Sequence, residues 1–271
     1  MTGPGLVVSD VDGTLVDKQK QLTAGTIAAV ERLRAAGIRF TIISARPRSG
    51  MMPLADSLDL DGPMGAFNGG TVFRRDGTVL EQHRVDPEIA RGMFALAHGV
   101  QVDRWVFADD QWFASTDRGV HVEHERVASN SEPVVTTAFG TLLDRADKIT
   151  FVSDDAPLLK ALAEKAVARF GDQATIVQSQ TYYLDVTARA ANKGDGVAAL
   201  CDAIGVPLGD TTVIGDQAND VAMFERAGRA IAMGNAPDAV KARAQSVTAS
   251  NDEDGVAHAI DTMILSQSTK D

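Results

Sequence analysis

The sequence predicts an α/β fold: a doubly wound, Rossmann-like parallel sheet, split by an inserted α+β domain. Three observations carry this. Strand-like apolar runs alternate with helical periodicity over residues 1–83 and again over 187–271, the stretch 84–186 breaks that order into short strands, and acidic or hydroxyl residues stand at the ends of the parallel strands. The 271 residues suffice to bury roughly three quarters of the unfolded surface, enough for a core and a second lobe.

Leu6-Val7-Val8 reads as the first strand. Thr23 can cap a helix whose Ile27, Val30 and Leu33 share a face, and Gly37 ends it. Arg39 to Ile43 forms the next strand, Met64 to Phe67 another, and Val72 to Leu80 a hairpin turning at Asp76-Gly77. Asp86-Pro87 supplies a cap and a first helical turn. In the inserted stretch, strands are expected around Trp105 and Phe107, Trp112 and Phe113, and over Val120 to Val127. Further strands follow at Ile149 to Val152, Thr175 to Val177 and Tyr183 to Val186, with a helix over Leu158 to Phe170. Alternation resumes with a helix through Val197, Leu200, Cys201 and Ile204, strands near Val213, Ala230 and Val247, and a final helix from Gly255 to Leu265. Ser266 to Asp271 are expected to fray.

Asp10-Val11-Asp12-Gly13-Thr14 directly follows the first strand. Side chains two apart on a strand point the same way, so Asp10 and Asp12 are expected to converge at its carboxyl end. At about 4 Å and an effective dielectric near 20, two carboxylates repel by roughly 4 kcal/mol, which a divalent cation or a shared proton must offset. Asp-Gly also suits a hairpin turn, and Asp-rich loops hold calcium, but the ligand series of an EF-hand is missing.

Three distant segments favour chemistry. Ser44 closes the second strand with a hydroxyl suited to a phosphate oxygen or to capping the next element, and Arg46 follows as an anion contact or a solvated cation. Lys193 stands at a helix start, where it opposes the helix dipole, and can neutralise a transferring phosphoryl group. Asp216 ends the strand Thr211-Thr212-Val213-Ile214-Gly215 as a natural further Mg²⁺ ligand beside the Asp10 carboxylate and the Asp12 carbonyl. Asn219 and Asp220 fit an N-cap for the helix through Val221 and Phe224. In open parallel sheets ligands bind outside the carboxyl ends of strands, where Asp10, Ser44 and Asp216 all fall.

The order Asp10-x-Asp12-Gly13-Thr14, Ser44, Lys193 and Gly215-Asp216-x-x-Asn219-Asp220 resembles the four motifs of the haloacid-dehalogenase superfamily of phosphohydrolases. The long insert, Phe67-Asn68-Gly69-Gly70 and Asn251-Asp252-Glu253-Asp254-Gly255-Val256-Ala257 resemble its Cof-type branch with a large cap. The resemblance spans nearly the whole chain and is strongest over residues 6–75 and 187–265. It implies an Mg²⁺-dependent phosphatase acting on sugar phosphates and related small metabolites, with residues 84–186 as the cap. It further implies Asp10 as nucleophile, Asp12 as general acid and base, and Asp10, Asp12 and Asp216 as the magnesium site. Ser44 and Lys193 then hold the phosphate, with Asn219 a supporting contact, Asp220 an orienting carboxylate, Gly13 and Thr14 in support, and Asn68 touching substrate. Ala45 and Gly70 depart from the glycine and alanine usual at those places. A phosphomutase using the same aspartyl-phosphate, or a non-catalytic metabolite-binding module, are the alternatives.

Composition narrows the partners. A net charge of -11 argues against nucleic acid and anionic membranes. The single Cys201 excludes an internal disulfide and suits a reducing cytoplasm. No signal-like start and no apolar stretch of eighteen residues occurs, so neither secretion nor membrane spanning is expected. On a strand, His121 and Glu123 would face away from His124, which disfavours a metal site. Trp105, Trp112 and Phe113 suit a small core better than a sugar platform, Gly194-Asp195-Gly196 is too short for a dinucleotide fingerprint, and no P-loop occurs.

Overall fold

The computed structural model describes residues 4–266, so most of the tail expected to fray lies outside the described residues. The chain divides into two units, Met1–Ala45 with Met51–Glu81 and Asn192–Asp271, and Arg46–Gly50 with Gln82–Ala191.

In the first unit five parallel strands run in the order Ser246–Val247, Arg229–Ala232, Thr211–Gly215, Leu6–Ser9, Arg39–Ile42. Leu6–Ser9 lies centrally and is wholly buried, as an unbroken apolar run requires when both faces of a sheet are covered. Leu6 and Val8 pack with Val197, Leu200 and Cys201 of the helix Lys193–Ile204. The helix Ala24–Ala35 packs against the C-terminal helix. Thr23 caps it by accepting from Thr26 N at 3.0 Å. The C-terminal helix runs α-helically over Gly255–His258 and widens to a π-helix over Ala259–Leu265. Met64–Ala66, Thr71–Phe73 and Val79–Gln82 form a separate three-stranded sheet.

The second unit is a six-stranded sheet in the order Ala174–Gln180, Tyr183–Ala188, Ala146–Val152, Asp103–Ala108, Gln111–Ala114, Val134–Val135. Its pairings are antiparallel except the last. Val106, Ile149, Phe151, Leu184 and Val186 on one face pack with Ile89, Met93, Leu159 and Leu162 from the helices Pro87–Leu96 and Ala156–Phe170. Trp105 and Trp112 are buried and meet edge to face at 5.1 Å, filling the interior.

One expectation is corrected here. Val120 to Val127 is not a strand: a helix covers Val122–Ser129, burying Val122, Glu125 and Ser129 at three- and four-residue spacing. The alternation of Val120 and Val122 misled, because Val120 and Val127 are exposed. His121 stacks on Tyr182 at 3.7 Å and pairs with Asp154 at 2.7 Å. Arg46–Gly50 groups with the second unit. Ser49 Oγ donates to Ser129 O at 2.6 Å, and a Cβ on Gly50 would fall 2.0 Å from Ala128 O, so that short segment packs on the helix Val122–Ser129. No helix among the described residues is long and apolar enough to cross a membrane.

Candidate active site

Parallel pairing sets the ends of Leu6–Ser9 and Thr211–Gly215 side by side. Ser9 is in register with Ile214, and Asp10 N donates to Ile214 O at 2.9 Å. Asp10 and Asp216 therefore leave neighbouring strand ends. Asp220 folds back from the 3-10 turn Ala218–Asp220, and an oxygen of each of the three carboxylates lies within 4.8 Å of the others. All three residues are buried.

Asp12 does not join this cluster. The strand stops at Ser9, and Leu15 N and Val16 N both donate to Val11 O at 2.9 and 3.2 Å, so the chain turns and two-residue alternation ends with it. The Asp12 carboxylate, about a third exposed, instead accepts from Lys20 Nζ at 2.7 Å.

Lys193 opens its helix, yet it is 1 % exposed, and its ammonium donates to both Asp10 Oδ1 and Asp220 Oδ1. Burial draws the lysine pKa down, but Asp10 and Asp220 more than offset that and hold it above its usual value. Burial likewise lifts the Asp10 carboxyl well above the ordinary range against the pull of Lys193, with Asp220 and Asp216 adding to the rise. Asp216 is raised by burial and then by Asp220.

Asp220 Oδ2 accepts from Asp216 N at 2.7 Å and Gln217 N at 2.8 Å. Gln217 caps the 3-10 turn, with Asp220 closing a capping box from its third position, and Asp220 is also the N-cap residue of the helix Val221–Phe224, where its side chain makes no cap bond. Its oxygens engaged by an ammonium and two amides, Asp220 orients its neighbours. Asp10 and Asp216 are the better donors for an ion. Three buried carboxylates against one ammonium leave an excess of negative charge on hard oxygen donors, which is the chemistry that suits Mg²⁺.

The loop after Asp10 is fastened to Asp216. Thr14 Oγ1 donates to Asp216 Oδ1 at 2.8 Å. Gly13 holds φ +83, and a Cβ there would fall 2.5 Å from Asp216 Oδ2, so the approach demands glycine. Asn235 Nδ2 donates to Gly13 O at 2.8 Å and to Asp216 Oδ2 at 3.4 Å. Asn251 N donates to Asn235 Oδ1 at 3.1 Å, and Asn251 Nδ2 to Val16 O at 2.9 Å. The sequence reading missed Asn235 and Lys20. The signal for Asn235 was its place just past Arg229–Ala232, in a sheet whose other strand ends carry the acids.

Ser44, Asn68 and Asn219 are linked in a chain of two bonds. Asn68 N donates to Ser44 O at 2.7 Å, and Asn219 Nδ2 to Asn68 Oδ1 at 3.1 Å. The turn holding Asn68 seats on the start of the helix Lys193–Ile204, where a Cβ on Gly69 would come 2.4 Å from Gly196 Cα. Gly196 thus serves close packing. Arg46 is buried within the second unit and donates to Gly50 O at 3.2 Å.

Residues 7–260 match the family model described as haloacid dehalogenase-like hydrolase. The chain is 28% identical to a 5-amino-6-(5-phospho-D-ribitylamino)uracil phosphatase of Bacillus subtilis, over 96% of this chain and 98% of that protein. It is 27% identical to a pyridoxal phosphate phosphatase of Escherichia coli, over 94% and 97%. A crystal structure of a haloacid dehalogenase-like hydrolase from Bacteroides thetaiotaomicron superposes with a TM-score of 0.86 at 27% identity, covering 95% of this chain and 98% of that one.

Proposed function

This chain belongs to the haloacid dehalogenase-like hydrolase family, in its Cof-type branch, and is a phosphatase; from that premise we propose that it hydrolyses phosphate monoesters of small metabolites, sugar phosphates foremost, through a phosphate ester on Asp10, with Mg²⁺. The observation that carries this reading is the buried Asp10–Lys193–Asp220 arrangement with Asp216 alongside.

Lys193 holds Asp10 Oδ1 in place, so the other oxygen, Oδ2, attacks phosphorus in line. The bond from phosphorus to the leaving oxygen breaks as Asp12 gives that oxygen a proton. In the second half, Asp12 takes a proton from a water whose oxygen attacks phosphorus, the bond to Asp10 breaks, and inorganic phosphate leaves. Lys193, the Ser44 hydroxyl and Asn219 stabilise the phosphoryl oxygens, and Asn68 touches substrate. The Asp10 and Asp216 carboxylates and the Asp12 carbonyl would hold Mg²⁺, which when bound supplies the positive charge that the carboxylates lack. Asp220, Gly13 and Thr14 keep these groups in place.

The B. subtilis relative named for a phosphoribityl compound and the E. coli one named for pyridoxal phosphate support a small phosphorylated partner. A cytoplasmic setting suits such substrates and the one cysteine. A panel of phosphate esters, assayed with Mg²⁺ and with chelator, tests the reading. Wild type is expected to release phosphate with Mg²⁺ only, and Asp10→Asn to release none; retained release in that variant rejects Asp10 as nucleophile. An isomerised sugar phosphate without free phosphate would mark a mutase, and tight binding without turnover a non-catalytic module.

A further inference from the structure

We propose that Lys20 is the positioning residue that fixes the Asp12 carboxylate for proton transfer to and from the reacting oxygens. The proposal rests on the reading of Asp12 as acid and base. Three observations lead to it.

Asp12 lies beyond the end of its strand, its backbone bridged to Val16, and Lys20 Nζ grips its Oδ1 at 2.7 Å. With Oδ1 held, the plane of the carboxylate and the direction of Oδ2 are set. The lysine is itself aimed. It is a non-glycine residue at φ +63, a left-handed conformation that L-residues rarely adopt. The surrounding turn over-determines that conformation: Lys20 N donates to Asp17 O at 2.9 Å, Asp17 N to Gln21 O at 3.0 Å, and the Asp17 carboxylate accepts from both Gln19 N and Gln21 N at 2.9 Å. Finally, the ion pair is a poor source of stability. Both side chains are about a third exposed, and such pairs contribute little to folding. A strained turn that delivers a weakly stabilising pair points to placement as its purpose.

Single-turnover rates with Mg²⁺ on two substrates test this. p-Nitrophenyl phosphate has a leaving group that departs without a proton, whereas an alkyl phosphate needs one. K20M and K20Q are expected to slow alkyl phosphate cleavage about tenfold or more, part of the 10²–10⁴ that general acids supply, and aryl cleavage less than about threefold. K20R is expected to restore alkyl cleavage to within about threefold, because its guanidinium can still grip Oδ1. Equal slowing of both substrates, or of neither, overturns the proposal, as does failure of both K20M and K20Q to fold. D12N separates the underlying reading: if D12N discriminates between the substrates and K20M does not, the proposal alone falls. If D12N slows both alike, the assignment of Asp12 falls and takes the proposal with it.

Discussion

Thr14 Oγ1 donates to Asp216 Oδ1 at 2.8 Å, joining residues 202 positions apart. That bond ties the loop after the first strand to the loop after its parallel neighbour, and Asn235 ties both to a third strand end. Two uncharged side chains, Thr14 and Asn235, thus brace Asp216 within the acidic cluster. Its charge and its geometry can therefore be perturbed separately.

The charge is tested by Asp10→Asn in chelator. Burial first, with Asp220 and Asp216 behind it, lifts the Asp10 carboxyl well above its ordinary 3.8, although Lys193 pulls the other way. A carboxyl raised in the native state binds more protons folded than unfolded, so its contribution to stability declines as pH rises from about 4 through the raised native value. Ionised Asp10 thus weakens the metal-free fold near neutrality. Asp10→Asn is expected to be more stable there by on the order of 1 kcal/mol, an advantage that shrinks toward pH 4. Thermal midpoints of both proteins across that range check it, and a wild type that outlasts the variant at neutral pH contradicts it.

Gly13→Ala tests the geometry. The new methyl meets Asp216 Oδ2 at 2.5 Å, and φ +83 adds roughly 1–2 kcal/mol of backbone strain for an L-residue. Asp216 must move, so the Mg²⁺ concentration for half-maximal activity is expected to rise about tenfold. A magnesium titration of phosphate release measures this, and an unchanged midpoint would show that Asp216 is not the group that matters.

Asn235 should behave as a brace. Asn235→Ala removes the donor to Gly13 O and Asp216 Oδ2 and is expected to lower metal affinity or kcat/KM by about 10- to 100-fold. Asn235→Asp is expected to be worse, because it sets a further carboxylate beside Asp216. If the aspartate variant matched or exceeded the alanine one in the same titration, the amide would not be acting through its donor.

Much of this was legible before any coordinates. Parallel strands announce themselves as apolar runs, and an acid at the end of such a run, as at Asp10 and Asp216, has few other places to go. Lys193 was legible because a helix start is a poor place for a cation. What escaped depended on tertiary contact. The divergence of Asp12 from Asp10 follows from a turn that ends the strand one residue before Asp10, and strand bounds are the hardest feature to read from periodicity. The helix Val122–Ser129 escaped because two valines happened to alternate at its entrance. Asn235 and Lys20 bind through single polar contacts that leave no periodic trace.

The Thr14–Asp216 bond also fixes an order of events during synthesis. At roughly 5–20 residues per second, a ribosome completes Asp216 some ten to forty seconds after Thr14. For most of that interval the nascent N-terminal strand lacks the neighbour against which Asp10 N will bond, and Asp10 lacks Lys193, Asp216 and Asp220. The buried acidic cluster is consequently a late property of the growing polypeptide, and a chain released before Asp216 carries Asp10 without its partners.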